Sequence, residues 1–304
     1  MSSFEIKKIL VPIDFSGTGE KVLKQASVLS KKTKAAITLI NVLEGPIGDM
    51  GSSKTGVTIL NRVKYEGAVM NWAKENMEVY KKILLKNGAS RVDYIIEKGS
   101  PYKKILETAK KINADLILMG THGVSGVREF VVGSNTFRVV SEALCPVLSM
   151  QKHTKKAGFK EILLPFRDKA HSREKVDYAI SIAKIYGATI HILGISYDKA
   201  ASAVRKIQLE ADQIEKIIAK QEVKCTKEVV TGNYAAKMIF SHAKKKRSDL
   251  IVIMSDMDKV SITEYIIGPV VQQIINHSSI PVLSIHPNIN SENMVGSGDW
   301  SFWG

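Results

Sequence analysis

Residues 115–135 read DLILMGTHGVSGVREFVVGSN and join a short apolar run to a glycine-rich segment. The apolar run, residues 115–119, has the length and composition of a buried strand. Gly120 and Gly123 follow it, and residues 133–135, Gly-Ser-Asn, stand just before a segment with helical periodicity. The pattern therefore predicts a strand, a glycine loop and the start of a helix.

This arrangement is suited to binding an anion. Glycines let the backbone approach a ligand closely, and the first N–H groups of a helix have no intrahelical partner. The spacing Gly-x2-Gly-x9-Gly-Ser is neither the dinucleotide fingerprint nor the Walker A pattern. Taken singly, each glycine is better explained as a turn residue. Their joint spacing, with Asp14 at the end of the first strand, favours a phosphate-binding loop.

The motif resembles the ATP-binding pattern of the universal stress protein family. The resemblance rests on Gly120-x2-Gly123-x9-Gly133-Ser134, together with PIDFS at residues 12–16 and CPVL at residues 145–148. It covers the first half of the chain in detail and the second half in outline. It implies a protein that binds ATP and has a regulatory or protective role in the stress response. Any Mg²⁺ would arrive with the nucleotide.

The resemblance also implies roles for individual residues. The phosphates would be held by Gly123, Gly133, Ser134 and Asn135, the ribose by Asp14 and Gly120, and the adenine by Pro12, Ile13 and Val42. Met119, which precedes the first glycine, is a further candidate contact. His122 either contacts phosphate, acts in acid–base chemistry or is an exposed loop residue. Asp14 has a competing role as an acceptor for the N–H groups of residues 15–17.

The order of the elements predicts an α/β fold. Apolar runs at residues 8–13, 36–42, 93–97, 116–119 and 146–150 alternate with helical segments, which is typical of a doubly wound parallel sheet. The resemblance implies the strand order 3-2-1-4-5 of the adenine nucleotide alpha hydrolase-like fold. In such sheets the ligand lies beyond the carboxyl ends of the strands where the order reverses, here between strands one and four. Asp14 and Gly120 end these two strands, so we expect them at one crevice.

The second half of the sequence repeats the first. KEILLP at residues 160–165 echoes KKILVP at residues 7–12, and SDLIVIM at residues 248–254 is matched to NADLILM at residues 113–119. A repeat this long indicates tandem domains. We therefore predict two five-stranded domains at residues 1–152 and 153–287. A tail at residues 288–304 follows them.

The second copy lacks the binding motif. In this internal alignment Gly120 becomes Ser255, Gly123 becomes Asp258, Ser134 becomes Pro269 and Asp14 becomes Arg167. An aspartate repels a triphosphate, and a proline removes an N–H donor from the helix start. We therefore expect ATP in the first domain only. Arg167 could instead meet an anion of another kind.

Each half ends in an apolar strand, CPVLSM at residues 145–150 and IPVLSI at residues 280–285. The resemblance implies that domains of this type associate through this edge, which here would give an intramolecular pseudo-dimer. A homodimer formed through other faces and an unknown protein partner are left open. The tail ends WSFW at residues 300–303, which either docks in a groove or is a frayed terminus.

Composition narrows the class of protein. The formal net charge of the 304 residues is +14, but the lysine clusters fall at predicted helix ends, where cations interact favourably with the helix dipole. We therefore do not expect a nucleic-acid partner. No apolar run is long enough to span a membrane, and the first residues lack the core of a signal peptide, so we expect a cytoplasmic protein. The two cysteines, Cys145 and Cys225, suggest neither a disulfide framework nor a metal site.

Two alternatives to simple ATP binding stay open at this stage. No nucleophile–base constellation is visible in the sequence, and no general base or lysine stands beside the predicted phosphate contacts, so binding without turnover is favoured and no catalytic residue is predicted. Slow ATP hydrolysis or autophosphorylation at Ser134 is one alternative. The other is an interaction scaffold that binds no nucleotide.

Overall fold

A computed structural model describes residues 4–15, 19–44, 56–121, 132–151, 154, 157–168, 173–255, 257–259, 265–267 and 269–286. The predicted domain boundary at residues 152–153 and the predicted tail at residues 288–304 lie outside these ranges.

The described part of the first half alternates strands and helices as predicted. Its elements are β1 (Lys8–Pro12), α1 (Gly19–Thr33), β2 (Ala36–Leu43), α2 (Gly56–Lys86), β3 (Arg91–Lys98), α3 (Pro101–Ile112), β4 (Leu116–Gly120), α4 (Ser134–Glu142) and β5 (Val147–Met150).

The second half repeats this order and adds a short hairpin. Its elements are β6 (Glu161–Phe166), α5 (Lys175–Tyr186), β7 (Thr189–Ser196), α6 (Ala201–Ala219), β8 (Cys225–Thr231), α7 (Ala235–Lys245), β9 (Leu250–Met254), β10 (Met257–Lys259), β11 (Tyr265–Ile267), α8 (Pro269–His277) and β12 (Val282–Ile285). Strands β10 and β11 pair antiparallel, and the sequence did not predict them.

The larger strands form one ten-stranded sheet in the order β3-β2-β1-β4-β5-β12-β9-β6-β7-β8. The first five strands confirm the predicted order 3-2-1-4-5. The last five strands have the same order within the second half when they are read from β8 to β12. Neighbouring strands are parallel within each half, for example β1 with both β2 and β4. The fold is therefore the predicted α/β doubly wound type, present twice.

The two halves meet edge to edge. Strands β5 and β12 pair antiparallel, with Leu148 opposite Leu283 and Ser149 opposite Val282. The Ser149 hydroxyl also donates to the Val282 carbonyl at 3.2 Å. Both leucine side chains are 1% exposed. The predicted association through this edge is thus present within one chain.

Each face of the sheet carries an apolar core that runs through both halves. Because side chains alternate along a strand, neighbouring residues belong to opposite cores. One core contains Ile9, Leu118, Leu148, Ile162 and Leu283, and the other contains Leu10, Ile117, Val147, Leu163 and Val282. The halves therefore share both cores.

The strand register corrects the internal alignment at β9. Ile9 of β1 lies opposite Leu116, and Ile162 of β6 lies opposite Leu250. Position 250 therefore corresponds to position 116, so the match of Met254 to Met119 is wrong by one residue. Met254 corresponds instead to Gly120.

Two half-buried carboxylates support the same correction. Asp115 accepts the N–H groups of Lys7 and Lys8, each at 2.8 Å. Asp249 accepts those of Lys160 and Glu161 at 2.9 and 3.0 Å, so it takes the place of Asp115. Ser134 still corresponds to Pro269, because both residues begin their helices. The second half therefore carries one more residue between the strand end and this helix, which the sequence match did not register.

The basic clusters lie in the last turns of helices, as predicted. Lys31 and Lys32 end α1, Lys110 and Lys111 end α3, and Lys244 and Lys245 end α7. Cations in these positions interact favourably with the helix dipole. None of the helices in the described part of the chain is both long and apolar enough to cross a membrane.

Candidate functional site

The candidate site lies where β1 and β4 end. These strands are parallel neighbours, with Leu10 opposite Ile117. Adjacent strands are about 4.8 Å apart, so the residues that follow them share one edge of the sheet. Asp14, just beyond β1, is exposed, and Gly120, the last residue of β4, is half-buried. The structure thus places both predicted residues at the point where the strand order reverses.

The end of β1 is held by its neighbour β2. The Ile13 N–H donates to the Ile40 carbonyl at 2.8 Å, and Asn41 Nδ2 donates to the Ile13 carbonyl at 2.8 Å. Asn41 is 5% exposed, and its Oδ1 has no hydrogen-bond partner among the described residues. Sequence reasoning missed Asn41. The available signal was one amide side chain within the otherwise apolar end of β2.

A local turn presents Asp14 to solvent. Phe15 has φ of 57°, a left-handed conformation that is rare for a residue with a side chain. Its ring packs against Trp72 and Tyr80 of α2, with centroid separations of 4.8 and 5.6 Å. These aromatic contacts stabilise the turn. Trp72 and Tyr80 therefore pack against this turn.

Hydrogen bonds join the end of β4 to the start of α4. The Thr121 N–H donates to the Met150 carbonyl at 2.9 Å, and the Gly133 N–H donates to the Thr121 carbonyl at 2.8 Å. The Thr136 hydroxyl donates to the Gly120 carbonyl at 2.9 Å. These bonds bring Gly133 and the first turn of α4 beside Gly120. Thr121 and Thr136 were not among the predicted site residues, because their spacing in the sequence gives no signal.

The start of α4 offers backbone N–H groups. The first intrahelical bond runs from the Phe137 N–H to the Gly133 carbonyl at 3.0 Å, so the amides of residues 134–136 precede it. Gly133 provides no side-chain cap, and the first turn contains no acidic residue. Ser134 is exposed and Asn135 half-buried. This helix start therefore has the partial positive charge that favours an anion.

The predicted adenine contacts divide between the two faces of the sheet. Met119 belongs to the core that also contains Val139 of α4, and the half-buried Val42 packs against that core. Ile13 belongs to the opposite core, with Val22 of α1. The fold thus brings Val42 and Met119 together on the α4 side, whereas the Ile13 side chain lies on the other side.

Two predicted residues cannot be placed. His122 and Gly123 lie outside the described residues. Pro12, the last residue of β1, lies opposite Ile40 and is half-buried.

The corresponding positions of the second half have different chemistry. Met254, 3% exposed, replaces Gly120, and Pro269 replaces Ser134 at the helix start. Arg167 replaces Asp14. Its Nη1 donates to the Tyr197 hydroxyl at 2.8 Å, and its guanidinium lies 5.6 Å from the centre of that ring. The second half therefore has a buried side chain where the first has a glycine, and one N–H donor fewer.

Metal and thiol chemistry have little support in the described residues. Among them, no group of three or more His, Cys, Asp or Glu side chains could hold a metal ion. Cys145 and Cys225 are both reduced and partly buried. Burial raises the pKa of the Cys145 thiol to about 11.

Comparison with known proteins agrees with the repeated fold. The sequence model of the universal stress protein family matches residues 5–150 and again residues 158–286. A universal stress protein of Methanocaldococcus jannaschii is 34% identical over 155 residues, which cover 48% of this chain and 95% of the relative. A Staphylococcus aureus relative named for the same family is 31% identical over 156 residues, covering 50% of this chain and 89% of the relative.

A solved structure covers nearly the whole molecule. The crystal structure of a universal stress protein from Archaeoglobus fulgidus superposes with a TM-score of 0.74 at 18% identity, covering 94% of this chain and 98% of the other. This similarity concerns the fold alone. Since the family model matches both halves in turn, the chain belongs to the universal stress protein family and carries two of its domains in tandem.

Proposed function

We propose that the chain binds ATP in its first half, in the crevice between the ends of β1 and β4. The observation that carries this proposal is the uncapped start of α4, which the Thr136–Gly120 hydrogen bond holds beside the end of β4. A helix start in this position offers several N–H donors to a phosphate chain. The glycine spacing, which resembles the ATP-binding pattern of the family, supports the same ligand.

Each part of the nucleotide has a proposed contact. The amides of Ser134 and Asn135 bind phosphate, and the Gly123 backbone adds to them. Gly133 has no side chain and therefore allows the phosphates to approach the backbone closely. Its own N–H is already bonded to the Thr121 carbonyl. Asp14 and Gly120 contact the ribose. The adenine contacts Val42 and Met119 on the α4 side, together with the backbone of Pro12 and Ile13, and Mg²⁺ accompanies the phosphates.

We further propose that the second half does not bind ATP. Met254 fills the position of Gly120, and Pro269 removes a donor from the helix start. The bound state would therefore contain one nucleotide per chain. The continuous sheet and shared cores give that single site a means to influence both halves, which suits a regulatory or protective protein of the stress response acting in the cytoplasm.

The variant Ser134→Pro tests this proposal, because it copies the second half into the first. Proline is tolerated at the first position of a helix, so we expect the variant to fold. Loss of one charge-assisted hydrogen bond costs about 1.5–3 kcal/mol, which corresponds to roughly a tenfold to hundredfold weaker binding of ATP. Mass spectrometry of small molecules released from the purified protein and the ATP-dependent shift of the melting temperature measure this effect.

Pro269→Ser is the matched control. It makes the reverse substitution at the corresponding position of the second half. The affinity for ATP should stay within a factor of two of the wild-type value. A wild-type protein that neither releases an adenine nucleotide nor melts at a higher temperature with ATP would contradict the proposal and favour an interaction scaffold. Phosphate release that depends on Ser134 would favour turnover of the nucleotide.

A further inference from the structure

Helix α2 carries an apolar stripe on its outer face. Trp72 and Val79 are each 51% exposed, and Ile83 is 39% exposed. At 3.6 residues per turn, these three positions lie within about 40° of one another around the helix axis. The opposite face of the helix is buried and includes Ala73 and Met77. Single exposed apolar residues are normal in proteins, whereas an aligned group of them is typical of an interaction surface.

The second half lacks most of this stripe. The buried residues have the same spacing in the corresponding helices: Ala73, Met77 and Leu84 in α2, and Ile207, Ala211 and Ile218 in α6. In both helices the carbonyl of the last of these residues accepts the N–H five residues further on. This match places Lys206 and Gln213 at the first two positions of the stripe and Ile217 at the third. The fold therefore does not require apolar residues on this face.

Two side chains of opposite charge flank the stripe. Glu75 and Lys82 lie about 60–80° from Trp72 around the helix axis, both on the same side. Both are exposed. Neither forms an ion pair within the described part of the chain. The stripe therefore has one edge on which an acidic and a basic group follow each other.

The pattern of α2 is complementary to itself. When a twofold axis relates two antiparallel copies of a helix, each contact between two different positions occurs twice, and a residue on the axis meets its own copy. The midpoint of Trp72 and Ile83, the midpoint of Glu75 and Lys82, and Val79 itself lie within about two residues of one another, which is about 3 Å along the helix. One axis near Val79 therefore satisfies all of these contacts.

We propose that α2 is the interface at which two copies of this chain form an antiparallel homodimer. Trp72 of each copy packs against Ile83 of the other, the two Val79 side chains meet at the axis, and Glu75 of each copy pairs with Lys82 of the other. The edge between β5 and β12 is already paired within the chain, so a second copy needs a different surface. This interface does not depend on ATP binding.

The size of the stripe sets the strength of the dimer. Stable interfaces bury about 800 Å² on each partner, which is more than three partly exposed side chains supply. We therefore expect a reversible dimer with a dissociation constant of about 10–100 μM. Sedimentation velocity of the full-length protein without nucleotide, from about 1 to 300 μM, should show a shift from monomer to dimer.

Val79→Lys tests the apolar centre of the interface. The substitution places two like charges at the twofold axis and should weaken the dimer at least tenfold. Gln213→Lys adds the same charge at the corresponding exposed position of α6 and is the matched control. The dissociation constant of this control should stay within a factor of two of the wild-type value. Circular dichroism checks that both variants fold.

A charge exchange tests the orientation of the two helices. Glu75→Lys and Lys82→Glu each replace two attractive contacts of the dimer by two repulsive ones, so each should weaken it by roughly threefold to tenfold. An equimolar mixture of these two variants should associate more tightly than either variant alone, because position 75 of each copy then faces a position 82 of opposite charge. A role of these residues within one chain would not give this recovery.

Several results would overturn the proposal. One is a wild-type protein that stays monomeric up to about 300 μM, which would indicate that residues 288–304 or a different protein cover the stripe. The others are equal effects of Val79→Lys and Gln213→Lys, and a mixture of the two charge variants that associates no more tightly than its components. If Val79→Lys fails to fold, the mixture carries the test alone.

Discussion

Met254 stands where the first half has Gly120, and this one substitution changes what the two sheet mouths can hold. The glycine leaves backbone accessible at the strand end, whereas the methionine side chain is 3% exposed and fills the same position. Lys175 lies at the position that corresponds to Val22 of α1, because the register of β1 with β2 matches that of β6 with β7. Single residues thus give the two sheet mouths different side chains on the same backbone.

Cys145 provides a prediction at the residue scale. Burial raises the pKa of its thiol to about 11, against about 8.5 for an unperturbed thiol. Because the thiolate is the nucleophile, the side chain stays largely protonated and unreactive at pH 8. We expect iodoacetamide to modify Cys145 at pH 8 roughly a hundredfold more slowly in the folded protein than in urea. Peptide mass spectrometry over time measures both rates, and equal rates would contradict the burial of this thiol.

Strand ends and glycine spacing, together with the strand order that the family resemblance implies, allowed Asp14 and Gly120 to be predicted at one edge of the sheet. Asn41, Thr121 and Thr136 could not be found in this way, because their roles depend on hydrogen bonds between segments that are distant in the sequence. Asn41 bonds to the Ile13 carbonyl, and Thr136 bonds to the Gly120 carbonyl. Such partners become visible only once the strand order is known.

At the scale of elements, a buried hydrogen-bonded contact joins α1 of the first half to α5 of the second. Gln25 is 0% exposed, and its Nε2 donates to the Tyr186 hydroxyl at 2.9 Å. Its Oε1 accepts the Gly158 N–H at 2.7 Å. Burial also raises the pKa of Tyr186, so its hydroxyl stays protonated across the physiological range. One side chain therefore satisfies two polar groups of the other half.

Gln25→Leu tests the importance of this contact. The substitution keeps the bulk of the side chain but leaves a buried hydroxyl and a backbone N–H without their partner. We expect the free energy of unfolding to fall by about 1–3 kcal/mol, measured by urea denaturation followed by circular dichroism. Gln272→Leu, at an exposed position of α8, is the control and should change it by less than about 0.5 kcal/mol. Equal effects of the two substitutions would contradict a bridging role for Gln25.

Most elements could be predicted because their periodicity is strong. Strand β1 lies within the apolar run predicted at residues 8–13, and β4 covers the run predicted at residues 116–119. The hairpin of β10 and β11 was missed, since segments of three residues carry no periodic signal. The internal alignment failed at β9 because it matched Met254 to Met119. The second half has one more residue between the end of this strand and the following helix, so the two methionines do not correspond.

At the scale of the whole molecule, the antiparallel pairing of β5 with β12 makes ten strands into one sheet. The long repeat in the sequence indicated two domains, but the edge at which they meet came from the family resemblance rather than from residue patterns. Both apolar cores cross this pairing. The halves are therefore expected to respond together when a ligand binds to one of them.

The number of ATP molecules bound per chain tests the central claim most directly. Calorimetric titration of the full-length protein with ATP and Mg²⁺ gives this number, because the first half offers the uncapped start of α4 and the second half begins the same helix with Pro269. The account predicts one ATP per chain, bound roughly tenfold to hundredfold more weakly in Ser134→Pro and with unchanged affinity in Pro269→Ser. Two molecules per chain, none, or a single site whose affinity Ser134→Pro leaves unchanged would contradict it.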